Sequence, residues 1–242
     1  MIVIVLGMHR SGTSTVSGVL HLNNIIMGNY ENFWPRPLPQ NPKGFYENYD
    51  FRLINDRILS FNGYDVKSYN PQIPQSELKD GHKNKMKKLI TYNQDNYQNW
   101  GWKDPRTCLT IENWMEIFSE MDLEKEIKII FITRDAISVA RSLTARNQLP
   151  LNQGLELWFS YTKRALDFCS KNNIATFYMS FENILEIPEE NFKNMFSFLS
   201  CSFEPKIVNK FVDKTISKNS SGEEIILPEK IIALEKDIDN LL

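Results

Sequence analysis

Residues Gly7, Met8, His9, Arg10, Ser11, Gly12, Thr13 and Ser14 follow the apolar run Ile2 to Leu6 and lead into a helical pattern. A glycine-bounded loop between a strand and a helix N-terminus is suited to holding an anion, because consecutive backbone N–H groups converge on it and the helix dipole adds positive potential. From Gly7 through Gly12 to Ser14 the loop keeps the length of a nucleotide-binding P-loop. Its lysine is missing: Thr13 stands where that residue would precede the final Ser, and the cation lies three residues earlier at Arg10. This displacement argues against an ATP or GTP hydrolase.

Two further cations are delivered to strand ends. The β-rich run Ile127 to Thr133 ends in Arg134 and passes into a helical pattern that reaches Ser142, eight positions on. Arginine suits an oxyanion because its planar fork donates paired hydrogen bonds and its charge persists at any working pH. The segment Trp100, Gly101, Trp102, Lys103, Asp104, Pro105, Arg106 reads as a short strand that carries Lys103 outward to a proline turn. Ligands of open α/β sheets bind beyond the carboxyl ends of strands, where all three cations are expected. A turn from Asn41 to Asn48 precedes the helical pattern Phe51, Ile54, Ile58, Phe61, and places a carboxylate, Glu47, at its start. A helix-start glutamate also complements the dipole with no chemistry attached, and Asp50 is the nearest rival carboxylate.

These motifs, taken in order, resemble the sulfotransferases that use 3′-phosphoadenosine 5′-phosphosulfate (PAPS), especially bacterial members. The matching features are the loop arginine followed by Ser-Gly-Thr-Ser, the Asn-Pro-Lys-Gly stretch, the Lys-Asp-Pro segment, and Arg134 with Ser142. The similarity runs from Ile2 to about Leu185, where Phe181 and Asn183 depart from the family's Tyr-Glu-Asp-Leu segment. It implies that Arg10, Ser11, Gly12, Thr13 and Ser14 bind the 5′-phosphosulfate and that Arg134 and Ser142 bind the 3′-phosphate. It further implies that Lys103 stabilises the transferring group and that Glu47 takes the acceptor's proton, so that Glu47, Lys103 and Arg10 carry catalysis. PAPS would be the co-substrate, adenosine 3′,5′-bisphosphate (PAP) the product and a carbohydrate or other small hydroxylated molecule the acceptor, with no metal. In cytosolic members a basic stretch near the C-terminus closes over the 3′-phosphate, and Lys214, Lys218 or Ser220 are the candidates here. A P-loop nucleotide or small-molecule kinase and a catalytically silent nucleotide-binding module remain as alternatives.

The elements that must position these residues follow from periodicity. Strands are predicted at 2–6, 99–103, 127–133 and 174–179, and helices at 13–22, 50–62, 76–98, 108–119, 135–147, 152–172 and 188–200. Their alternation predicts a single α/β domain over 1–242, with a central parallel sheet flanked by helices; with the resemblance, this is the P-loop nucleoside triphosphate hydrolase-like sulfotransferase fold. Residues 63–75 read as a loop, the cluster Lys83 to Lys88 as a solvated helix face, 214–226 as a mobile loop and 228–241 as a C-terminal helix. Phe33, Trp34, Phe45, Tyr46, Tyr49, Trp100 and Trp102 are expected near the acceptor, whereas Trp158 and Tyr161 at helical spacing are expected in the core.

A net charge of −2 provides no basic field for nucleic acid or a membrane surface. No leader is evident, and no run approaches the roughly 20 apolar residues of a membrane span. Three scattered cysteines suggest reduced thiols and a cytoplasmic location, and neither they nor the three isolated histidines make a metal motif.

Overall fold

In a computed structural model, which describes residues 1–38, 41–212 and 225–242, the four predicted strands form one parallel sheet. They are β1 (Ile2–Leu6), β2 (Trp100–Lys103), β3 (Ile127–Thr133) and β4 (Thr176–Ser180), in the order β2-β1-β3-β4. β1 is therefore central, with Val5 level with Lys103 on one side and Leu6 level with Phe131 on the other. This order sets the site. The loop after β1 is flanked by the end of β2, carrying Lys103, and by the end of β3, which leads to Arg134.

Parallel strands covered on both faces read as continuous apolar runs, and β1 is wholly buried. Its side chains alternate between two cores. Ile2, Ile4 and Leu6 join a large cluster with α2 (Tyr49–Phe61), α3 (Asp80–Asn96), α4 (Thr107–Glu120), α5 (Ala136–Asn147) and α6 (Leu151–Lys171). Val3 and Val5 pack on the opposite face against α1 (Thr13–Leu22), α8 (Pro188–Leu199) and α9 (Pro205–Phe211). A short α7 (Phe181–Glu186) follows β4, and α10 (Glu229–Asp239) buries Ile231, Leu234 and Ile238 in the first core.

Several expectations are corrected. The periodicity missed α7 and α9, which have only 6 and 7 residues and too few turns to display a pattern. Residues 63–75 contain a 3₁₀ turn at Val66–Ser68, capped by Asp65. The lysine cluster is not simply solvated, since Lys83 pairs with Glu116 and Glu120, and Lys87 with Glu120, joining α3 to α4. Trp100, Trp102, Phe33 and Phe45 are core residues, leaving Trp34 and Tyr49 as the exposed members of the aromatic set expected near the acceptor. Trp158 and Tyr161 are buried as expected. The C-terminal helix, expected over 228–241, runs from Glu229 to Asp239, and Leu241 beyond it is exposed. Lys214, Lys218, Ser220 and the 214–224 part of the expected mobile loop lie outside the described residues.

Candidate active site

The loop after β1 is shaped by its glycines. A Cβ on Gly7 would stand 2.5 Å from the carbonyl of Ile132, so the chain leaves β1 pressed against β3. Gly12 has φ +85, and a Cβ there would meet the Phe181 ring at 2.3 Å. Glycine relieves both constraints. Gly12 is also the N-cap of α1 and supplies no side-chain acceptor, so the amides of Thr13 and Ser14 open the helix uncapped. An anion is the partner that such a helix start favours.

Arg10 adopts φ 72, a conformation that costs a non-glycine residue energy and persists only when its surroundings enforce it. Two contacts do so. Its Nε donates to Ser142 Oγ at 2.8 Å, and its carbonyl accepts from Arg134 Nη1 at 3.1 Å. The three residues expected to grip the two ends of the donor are thus brought into one cluster spanning the β1 loop, the end of β3 and α5. Arg134 stacks on Phe181, 4.8 Å from the ring centroid, and Trp158 Nε1 donates to its carbonyl at 3.0 Å. Its buried Nε has no hydrogen-bond partner among the described residues. A buried guanidinium donor without an acceptor is costly, and a phosphate oxygen would satisfy it. Burial, reinforced for Arg10 by Arg146 and Arg134, lowers the proton affinity of both arginines, which is the condition an incoming polyanion relieves.

On the other side of the loop, Lys103 Nζ lies 2.8 Å from Glu47 Oε1 and 3.4 Å from Ser14 Oγ. Lys103 is 1% exposed and Glu47 8%. Glu47 precedes the N-cap of α2, which is Asn48, whose side chain accepts from the amide of Asp50. It is therefore not a dipole-complementing residue of the first helical turn. Its backbone is anchored by Trp34 N, which donates to its carbonyl at 2.9 Å. Asp50 is engaged elsewhere, accepting from Asn32 Nδ2 at 3.1 Å.

The turn after Lys103 rests on groups that motif reading did not assign. Asn55, fully buried on α2, donates to Asp104 Oδ2 at 2.8 Å and to Thr107 Oγ1 at 3.1 Å. Its carbonyl accepts from Thr110 and from Trp114 Nε1, both at 2.8 Å. Asp104 Oδ1 accepts from Arg106 Nη1 at 2.8 Å, and Arg106 Nε faces Asp56 Oδ1 at 2.6 Å. Because α2 starts just after Glu47 and also carries Asn55 and Asp56, one helix sets the separation of the carboxylate and the ammonium. A buried polar network favours a single arrangement of this kind, and the one buried side-chain atom within it that lacks a hydrogen bond among the described residues is Arg106 Nε. Asn55 carries no sequence signal beyond its helical register with Phe51 and Ile58.

His9 stands edge-on to Tyr161, with ring centroids 5.8 Å apart. Burial, together with Arg106, Lys103 and Arg146 and opposed by Asp104, pushes His9 down to about 3. It is therefore neutral at working pH. The unfolded chain takes up this proton near the ordinary histidine value of about 6.5 while the folded chain resists, so stability is lost as pH falls below that value. Between about pH 7 and about pH 5 this group should remove about 2 kcal/mol of stability in wild type and none in His9→Gln, read from urea midpoints. Equal losses in the two proteins would show that His9 exchanges its proton freely in the folded state.

The described residues include no group of three or more His, Cys, Asp or Glu placed to hold a metal. Cys108, Cys169 and Cys201 are free, and burial pushes the Cys108 thiol up to about 12. No helix among the described residues is long and apolar enough to cross a membrane.

A parallel sheet with a glycine-bounded loop and a helix start after its central strand, and cations at the ends of both neighbouring strands, is a P-loop-like α/β architecture. The Sulfotransferase family profile matches residues 3–205, and the chain belongs to that family. Solved structures with the same fold include the sulfotransferase domain from the curacin biosynthetic pathway. It has a TM-score of 0.62 at 13% identity, covering 98% of this chain and 97% of that one. The sulfotransferase domain of the Synechococcus PCC 7002 olefin synthase has a TM-score of 0.59 at 14% identity, with 98% and 94% covered. Sulfotransferase STF9 from Mycobacterium avium has a TM-score of 0.54 at 15% identity, with 98% and 75% covered. A search of curated proteins returns no match.

Proposed function

We propose that the protein transfers a sulfuryl group from PAPS to a hydroxyl acceptor and releases PAP. The observation that carries this reading is the buried Lys103–Glu47 pair, 2.8 Å apart, with Lys103 also reaching Ser14 of the anion-binding loop. A carboxylate, an ammonium and the loop after β1 thus meet at one point, which supports this reading. When bound, PAPS supplies an activated sulfuryl group on a phosphate leaving group.

Arg10 and the amides opening α1 would hold the 5′-phosphosulfate, and Arg134 with Ser142 the 3′-phosphate. The fit rests on the orphaned Nε of Arg134 and on the uncapped helix start beside it. In the transfer, the acceptor oxygen forms a bond to sulfur as the sulfur to bridging oxygen bond breaks, and Glu47 takes the hydroxyl proton. Charge builds on the leaving oxygen, and Lys103 would offset it. The protein's own cations provide this charge stabilisation, so the reading assigns no role to a metal.

The test compares nucleotides. PAP without magnesium should stabilise the protein by about 2.7 kcal/mol at about 100 times its dissociation constant, and ATP less. Arg134→Ala should abolish most of the PAP effect while leaving kcat at saturating donor within a few-fold, because the 3′-phosphate lies away from the reacting bond. Equal thermal shifts from PAP and ATP, or magnesium-dependent ATP turnover, would overturn the reading in favour of a kinase.

A further inference from the structure

The two sides of the β1 loop differ in what they leave uncommitted. Arg134 and Ser142 occupy the β3 side. Beyond β2, on the opposite side, a cavity of about 470 Å³ opens next to the turn that carries Lys103. It is lined by Arg52, Asp56, Tyr64, Asp65, Lys67 and Arg106, among others. Both carboxylates there are already engaged: Asp56 faces Arg106 Nε at 2.6 Å and Arg52 Nε at 3.8 Å, and Asp65 accepts from the amide of Lys67 at 2.9 Å.

The cations are not. Arg106 is 11% exposed and anchored through Nη1 to Asp104, its Nε lies close to Asp56 without a hydrogen bond, and its Nη2 makes none to a described residue. Lys67 Nζ has no partner among the described residues, and Arg52 makes only the long contact to Asp56. Three cationic side chains thus face two carboxylates across the cavity, and donors on all three cations remain free for a ligand. Arg106 lies three residues after Lys103 and bonds the intervening Asp104, while Arg52 and Asp56 lie on α2, the helix that starts just after Glu47, which ties the cavity to the reacting pair.

We propose that this cavity binds the non-reacting end of the acceptor, and that the acceptor is an anion: a hydroxylated compound bearing a carboxylate or phosphate group, held by Arg106, Arg52 and Lys67 while its hydroxyl reaches Glu47. This rests on the sulfotransfer reading and adds the acceptor's charge class. A preorganised guanidinium suits either oxyanion, and Lys67 and Arg52 complete the clamp around it. The donor's own anionic groups are accommodated on the other side of the loop, so the two anions do not compete for the same cations.

The experiment uses labelled PAPS and matched acceptors: glucuronic acid and glucose 6-phosphate against glucose, and 4-hydroxyphenylacetate against 4-hydroxyphenylacetamide. The expected result is a kcat/KM at least about 10-fold higher for an anionic member than for its neutral partner, the size of one charge-assisted contact. Glucuronic acid against glucose 6-phosphate decides which oxyanion is preferred. Lys67→Glu and Arg52→Gln should each move the anionic-to-neutral ratio toward unity through KM, with the PAP-induced thermal shift retained. Preference for the neutral members, no turnover of any anionic member, or a ratio unchanged in both variants would overturn the proposal. A wild-type protein that PAP does not stabilise would instead fail the sulfotransfer reading itself, so the two failures are distinct.

Discussion

Glu47→Gln is expected to lower turnover by about 10² to 10⁴-fold with PAP affinity nearly unchanged, the range a positioned general base contributes. The substitution keeps the size of the side chain and an oxygen that can still accept from Lys103, so the cavity and the turn after β2 stay in place. What it removes is the carboxylate proposed to take the acceptor proton. A structural consequence is expected too, because Lys103 is 1% exposed and loses its counter-charge. Removing one partner of a buried pair costs about 3 to 5 kcal/mol when the other charge stays uncompensated, and the Gln oxygen and Ser14 soften that loss. Turnover and stability must therefore be measured together. If turnover with a true acceptor stays near wild type, Glu47 is a structural counter-ion and the base lies elsewhere, with neutral His9 the next group to replace.

Lys103→Ala is expected to cut turnover by about 10² to 10³-fold, the effect of losing one preorganised donor to developing negative charge. Its effect on kcat should exceed that of Arg134→Ala, since the proposed reaction sets Lys103 at the reacting bond and Arg134 at the distant 3′-phosphate. Stability should also fall, because Glu47 would be left buried without its ion-pair partner. The double variant Glu47→Gln with Lys103→Met separates these effects. It should be more stable than the two single losses predict when added, since neither charge is then stranded, yet be as inactive as the worse single variant. A Lys103→Ala protein with altered PAP affinity and unchanged kcat would remove Lys103 from the transition state.

The aromatic segments show where local pattern and tertiary context part. Trp100 and Trp102 flank a motif lysine and share its strand, which makes them look like ligand contacts. Both are fully buried, with Trp102 stacked on Phe51 at 4.5 Å, because β2 is covered by α2 and α4. Which face of a strand is covered depends on helices distant in sequence. Glu47 shows the reverse case: its position suggested a helix-start role, and the fold turned its side chain inward to Lys103, 56 residues away.

The sequence by itself determined the strands, the longer helices, the anion loop and the family. These features rest on short-range chemistry: apolar periodicity, glycines where a Cβ would clash, and cations at strand ends. Arg10, Lys103 and Arg134 stood out as candidates for that reason, and Ser142 through the resemblance to the family. Only the tertiary structure decided how they combine. It joined Arg10 to Ser142 across 132 positions and placed Asn55 beneath the Lys103 turn. It also opened a cavity with uncommitted cations on the β2 side of the loop. Each of those outcomes depends on the strand order β2-β1-β3-β4 and on which helix covers which face. Both are set by the joint burial of distant segments, a many-body condition that no local spacing encodes.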